Sequence, residues 1–352
     1  MKFLAEYLPR IRTVVITIES PKEVHVKGLE PESVELANDQ GARYVIELPH
    51  RVVIDSSQNS FQSYKDYKTL RLRAVEDKGD RDLYKNRSLN FMMQVVPQRW
   101  MKRDLLGEEF QLRCKDCESC VLAKKDCVQI NEMPSEFWAE LMDYWHCHKP
   151  ASSDGMRVDR YAKLSPLPGE LLVGNSFFLI SSSWPGNQLS FEGDNTACSK
   201  CSSVLGCLST DNLYKINKWN LGLVRNGRKE VYPPEHFVIS ALLDLLNADG
   251  ARKIKLKCQD SSQHLLLWIF AVGLQVTLPL GNRVSNCMKV YYKEEKVDES
   301  AINASKVQNI EELAVPAIAF SSFIEKLKTA HQQLPAVVKK MDNWSLGFVE
   351  YS

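Results

Sequence analysis

The sequence predicts a mostly β protein with an α+β C-terminal domain. Three observations carry that prediction. Short β-branched or alternating stretches fill the first hundred residues, two C-x2-C pairs fall in a strand-rich middle, and helical periodicity joins the strands beyond about residue 230. A chain of 352 residues is long enough for more than one hydrophobic core. The composition shifts suggest a β-rich N-terminal domain over 1–105, a metal-binding domain over 106–228 and an α+β domain over 229–352.

In chain order, "TVVITIE" (13–19), "RYVIELP" (43–49), "TLRLRAV" (69–75) and "NFMMQVV" (90–96) read as strands. Leu70 and Leu72 alternate with Arg71 and Arg73, the pattern of a sheet with one wet face. "MPSEFWAELMDYWHCH" (133–148) reads as a helix, with Pro134 in its first turn. Trp138, Leu141, Trp145 and His148 share its apolar face, while Glu136, Glu140 and Asp143 share the other. Residues 149–170, rich in Pro, Gly and Ser, read as a long loop. Strand character resumes in 173–184 and again in "NLYKINKW" (212–219). "PPEHFVISALLDLLNADG" (233–250) opens with proline and closes with glycine, as helices do. "RKIKLKC" and "HLLLWIFAV" then read as adjacent strands, and "SSFIEKLKTAHQQ" (321–333) as an amphipathic helix. "LPAVVKKMDNWSLGFVEY" (334–351) gives a short helix and a closing strand, packed by Trp344, Leu346, Phe348 and Tyr351.

Bulk charge narrows the function classes. Forty-five Lys and Arg against 44 Asp and Glu leave a formal charge of +1, which argues against broad electrostatic capture of nucleic acid. The aromatic and basic stretch 59–73 suits a local interface or a charged edge strand. The N-terminus carries charge without a sustained apolar core, so it does not read as a signal peptide. The longest apolar run, at 265–274, is too short to span a bilayer. The expected setting is the cytoplasm and nucleus, where C-x2-C pairs serve metals more often than disulfides.

Ten cysteines therefore raise the question of a metal. Zinc in a structural site takes four ligands at tetrahedral corners, and a C-x2-C turn supplies two sulfurs on one side. Cys114 and Cys117 form one such pair, and Cys198 and Cys201 the other. Cys117 and Cys198 are 81 positions apart, too far for a zinc finger or ribbon, so the expected site ties two distant hairpins to one structural Zn2+. Cys120, Cys147, His148 and Cys207 are alternates. His148, on the apolar helix face, also reads as a core histidine at a helix C-terminus. Cys127 reads as a small apolar side chain. A thioredoxin-like redox pair would open a helix after a strand, a context neither pair shows.

"CSKCSSVLG" resembles the second half of β-tent zinc domains, such as those of Yippee-like proteins and the ligand-binding domain of cereblon. An aromatic ligand pocket, lined by Trp184 or Trp219, is one reading of that likeness. A longer series runs "CKDC", "MPSEFWAELMDYWHCH", "VGNSFFLI", "CSKCSSVLG", "LLLWIF" and the terminal "LPAVVKKMDNWSLGFVEY". In that order it resembles the HECT-like family that binds ubiquitin-conjugating enzymes. The resemblance implies a zinc-stabilised, β-tent-like centre and two activities. One is binding a ubiquitin-conjugating enzyme and promoting ubiquitin transfer, as the animal ligases of the family imply. The other, implied by the yeast member's tie to mRNA cleavage and polyadenylation, is restraint of a metallo-β-lactamase-type endonuclease by covering its active site.

Catalysis by the chain itself lacks a recognisable motif. A HECT ligase carries its thioester on a cysteine in a Thr-Cys-Phe setting near the C-terminus, and none occurs here. Cys258 and Cys287 are the cysteines left to weigh as nucleophiles. Lys253, Lys255 and Lys257 alternate with Ile254 and Leu256, which places Cys258 on the inward face of a strand. There is no P-loop, G-x-S-x-G or H-E-x-x-H motif.

Overall fold

A computed structural model describes the chain except for residues 21, 56, 58, 76–98, 108, 134–165, 211, 260, 280–282, 295–309 and 352. The described residues are mostly β and divide into two compact units. One is built from Met1–Pro97 with Val238–Ser352, the other from Gln98–Phe237. The two outer stretches, read from the sequence as separate domains, thus share one unit. The physical reason is an edge: strand Lys2–Leu8 leaves one side open after pairing with Thr13–Glu19, and Ala5, Glu6 and Tyr7 pair there with Thr277, Val276 and Gln275. The expected strand at 90–96 and helix at 133–148 lie outside the described residues, apart from Met133. No helix among the described residues is long and apolar enough to cross a membrane.

The first unit centres on a curled ten-stranded sheet. Thr13–Glu19 alternates as the sequence predicts: Val14, Ile16 and Ile18 are fully buried, and the residues between them are half-buried. It pairs with Tyr67–Arg73, which in turn pairs with the exposed edge strand Ser60–Ser63. Leu70 and Leu72 join Val14 and Ile16 in a core completed by Val34, Leu36 and Ile46 of a three-stranded sheet, Val24–Glu30, Ser33–Asn38 and Arg43–Glu47. On the other side run His264–Thr277, Arg283–Glu294 and Trp344–Glu350. Lys253–Cys258 pairs with His264–Thr277 and, in parallel, with Glu311–Val315. The helix Ala317–Gln333 buries Ala319, Phe320, Phe323, Leu327 and Ala330 at steps of three and four. It lies so close to the last strand that a Cβ on Gly347 would meet Leu327 Cδ2 at 2.8 Å.

The second unit holds two sheets around one core. Seven strands run in the order Gln129–Glu132, Glu170–Val173, Phe177–Ser181, Leu213–Asn217, Val204–Thr210, Asn195–Cys198, Leu189–Glu192. Only the first pair is parallel. Four more run Arg228–Val231, Leu221–Arg225, Phe110–Cys114, Cys120–Ala123. Leu112, Leu122 and Leu223 from the four-stranded sheet share a buried cluster with Phe178, Ile180, Leu205 and Ile216 from the other. Trp184 and Trp219 belong to this same cluster and are almost wholly buried.

Candidate metal centre

Each sheet of the second unit delivers one cysteine pair. Strand Phe110–Cys114 ends on Cys114 and turns into Cys120–Ala123, while Asn195–Cys198 ends on Cys198 and turns into Val204–Thr210. The two turns match bond for bond. Cys114 N–H donates to the Ser119 carbonyl, and Glu118 N–H donates to the Cys114 carbonyl. Cys198 N–H donates to the Ser203 carbonyl, and Ser202 N–H donates to that of Cys198. The residue after each second cysteine takes a left-handed backbone, Glu118 at φ 58° and Ser202 at φ 60°. That reversal brings both sulfurs of a pair to one side of the turn.

The four sulfurs converge. Sγ of Cys114 is 3.7 Å from that of Cys201, and Sγ of Cys117 is 3.6 Å from that of Cys198. All four ligand atoms lie within 4.8 Å of one another. Tetrahedral zinc with Zn–S bonds of about 2.3 Å sets sulfurs about 3.8 Å apart. A disulfide needs about 2.05 Å. The spacing therefore fits four thiolates around one tetrahedral ion and does not fit two cystines. The donor set, four soft sulfurs with no oxygen among them, is that of a closed structural site.

The surrounding groups favour thiolates at some positions. The Ser119 hydroxyl, 3.0 Å from Cys117 Sγ, and the Ser119 backbone N–H lower the Cys117 thiol to about 6. Burial opposes ionisation of Cys198, but the Ser119 hydroxyl at 3.3 Å and the N–H groups of Cys201 and Lys200 outweigh it, so its thiol is also lowered. Burial pushes Cys114 up to about 12, against the N–H groups of Cys117 and Asp116. A divalent ion would displace that proton. Ser119 and Ser203, whose hydroxyl is 3.2 Å from Cys201 Sγ, are supporting groups that spacing alone does not single out. The repeated form C-x2-C-x-Ser is the signal that could have found them.

Cys120 and Cys207 are outside this group among the described residues. Cys120 occupies the outgoing strand of the first turn, the place of Val204 in the second, and burial raises its thiol. Cys207 is exposed on the strand after the second turn. Cys127 packs half-buried against the core, and burial pushes its thiol up to about 12. Cys147 and His148 lie outside the described residues.

The profile of the HECT-like ubiquitin-conjugating enzyme (E2)-binding family matches residues 6–346, a span that takes in both turns. The chain belongs to this family. An uncharacterized protein of Saccharomyces cerevisiae, YJR141W, is 32% identical over 355 residues, covering 99% of each chain. An E3 ubiquitin-protein ligase of Rattus norvegicus is 25% identical over 205 residues, 55% of this chain and 52% of the rat protein. The ligase of the same name from Mus musculus is 22% identical over 269 residues, 67% of this chain and 70% of its own. The match to the rat ligase thus spans about half of that protein. No solved structure matches the chain.

In this member of the HECT-like family, the two cysteines left as nucleophile candidates sit in cores. Cys258 is 6% exposed and continues the inward row of Ile254 and Leu256. Cys287 is 1% exposed, in a cluster with Leu274, Leu346 and Phe348, and burial drives its thiol upward from the ordinary range. A thioester nucleophile needs the opposite, an accessible sulfur with a lowered pKa.

A polar residue that sequence reasoning passed over lies deeper in the same unit as the cysteine turns. Lys218 is fully buried, and its Nζ donates to the carbonyls of Arg99 (2.8 Å), Gly174 (2.7 Å) and Asn175 (3.0 Å). The rings of Phe178 and Tyr232 flank it at 5.1 and 5.7 Å. "NLYKINKW" offers no sign of this, because a lysine beside a strand ordinarily reads as solvated.

Proposed function

We propose that this chain binds ubiquitin-conjugating enzymes and promotes ubiquitin transfer without carrying ubiquitin itself. A ubiquitin-system role follows from the family match over residues 6–346, and that match is the observation that carries the reading. The burial of Cys258 and Cys287 supports transfer directly from the conjugating enzyme: an acceptor amine attacks that enzyme's thioester, forms the amide and releases the enzyme's thiol. The chain then acts by holding the partner in a reactive geometry. We further propose that residues 98–237 form a β-tent-like domain in which Cys114, Cys117, Cys198 and Cys201 hold one structural Zn2+. When bound, zinc supplies a crosslink between two sheets and no reaction. The endonuclease of mRNA 3′-end processing, as an alternative partner, rests on the family resemblance alone, and nothing in the described residues favours it.

Discharge of thioester-loaded conjugating enzymes tests the reading. Wild-type chain should accelerate discharge of at least one enzyme in a panel, and a Cys258→Ser, Cys287→Ser variant should accelerate it equally. A wild type that neither binds nor discharges any enzyme contradicts the proposal, while a variant that folds but loses all acceleration replaces it with a thioester route.

A further inference from the structure

Cys117 and Cys198 are 81 positions apart, yet one short segment bonds both of their turns. Strand Leu213–Asn217 pairs with Val204–Thr210, which leaves the second turn, and Ile216 stands across from Gly206. A single 3-10 turn, Lys218–Asn220, follows. The next strand, Leu221–Arg225, pairs with Phe110–Cys114, which enters the first turn, and Leu221 stands across from Cys114 itself. Lys218–Asn220 is thus a direct covalent link between the seven-stranded and four-stranded sheets.

Two residues of the link are fixed in the core. Lys218 N–H donates to the Ser176 carbonyl at 2.9 Å, beside the three carbonyls met by its Nζ, and Trp219 is almost wholly buried. The third, Asn220, is half-buried and reaches both cysteine turns. Its carbonyl accepts the Lys115 N–H at 3.0 Å, one residue past Cys114. Its Nδ2 donates to the carbonyls of Leu205 at 3.1 Å and Val204 at 3.3 Å, at the start of the strand leaving the second turn. An asparagine amide carries two protons for two carbonyls, and an aspartate carries none. The Ser119 hydroxyl also crosses between the turns, but at the sulfurs of Cys117 and Cys198. The bonds of Asn220 go to backbone groups and need no ion.

Ligands already held at the right spacing bind an ion more tightly, because little ordering remains to oppose binding. We propose that Asn220 is the positioning residue of the four-cysteine centre: it sets the separation of the two turns, and through that the affinity for a divalent ion. The inference rests on the metal reading given above and adds a residue to which C-x2-C spacing does not point.

Competition for Zn2+ between the full, reduced chain and a chromophoric chelator tests it. Co2+ in place of zinc reports thiolate ligation through its charge-transfer absorption. Asn220→Asp keeps the size and the bond from Lys115 but removes both donors, and Asn220→Ala removes the side chain. Asn131→Ala is the control: Asn131 Nδ2 donates to Glu170 at 2.6 Å, joining the two strands at the far edge of the seven-stranded sheet. Circular dichroism checks the fold of each variant, and Asn220→Ala carries the test if Asn220→Asp does not fold. Both Asn220 variants should bind zinc roughly tenfold more weakly than the wild type, with the thiolate absorption of Co2+ retained at saturation, and Asn131→Ala should match the wild type. Wild-type affinity in the Asn220 variants overturns the positioning role and leaves the metal reading standing. Equal weakening in Asn131→Ala also overturns it, since general loosening of the unit then explains the loss. A wild type that takes up neither ion overturns both.

Discussion

Lys218 shows how much one side chain can organise. Its three donors meet three carbonyls from two separate stretches, Arg99 and the Gly174–Asn175 turn, inside a core of aromatic rings. Replacing it by methionine keeps the volume but leaves those carbonyls without their donor. Each orphaned group costs on the order of 1–3 kcal/mol, so Lys218→Met should lower unfolding stability by roughly 3 kcal/mol or more, read from denaturant titration. The cysteines make a second residue-scale case. Zinc binds thiolates, and Cys114 holds its proton up to about 12 while Cys117 loses its own near 6. Binding at pH 7 must therefore expel protons, and affinity should fall as pH drops through the Cys117 range. Calorimetry of zinc binding in buffers of different ionisation enthalpy checks this, with net proton release as the expected outcome. At this scale the sequence was half legible. The four clustered cysteines stood out because C-x2-C constrains sulfur positions so tightly, whereas Ser119, Ser203 and Lys218 act through contacts made only after the chain folds.

The two cysteine turns explain why their local sequence is what it is. Both run Cys-x-x-Cys, then a left-handed residue, then a serine, then the return strand. The return strand after the second turn carries Gly206, where an added Cβ would stand 1.7 Å from the Lys215 carbonyl oxygen on the neighbouring strand. No flexible side chain can give way there, since the obstruction is backbone. Gly206→Ala should force the Val204–Thr210 and Leu213–Asn217 strands apart, with a loss on the order of 3 kcal/mol, a lowered melting temperature and weaker zinc retention. Strands and helices with a single clear period were readable in advance. Thr13–Glu19, Tyr67–Arg73, Glu235–Asp249 and the Lys253–Cys258 pair with His264–Thr277 all occur where alternation or helical spacing put them. The helix Ala317–Gln333 begins four residues before the amphipathic stretch suggested, because Pro316 serves as its boundary and Ala319 and Phe320 already face the core. Short strands such as Leu189–Glu192 and Asn195–Cys198 have no such periodicity, and tertiary pairing decides them.

Across the whole chain, pairing between distant segments was the least legible feature. Nothing in "KFLAEYL" indicates that its free edge will meet residues 275–277, since any hydrogen-bonding edge can accept any extended partner. The same is true of the two sulfur-bearing turns, which come from different sheets and were linked beforehand only by the arithmetic of four ligands per zinc. That convergence carries the central proposal: that Cys114, Cys117, Cys198 and Cys201 fasten two sheets of one unit around one ion, and that the chain holds partners rather than reacting with them. Metal content of the purified full chain, by mass spectrometry under native and denaturing conditions, tests it most directly. One zinc per chain is predicted for the wild type, with loss of the ion and of stability in a Cys117→Ser, Cys201→Ser variant. A natively folded wild type without metal, or full zinc retention in that variant, would contradict it.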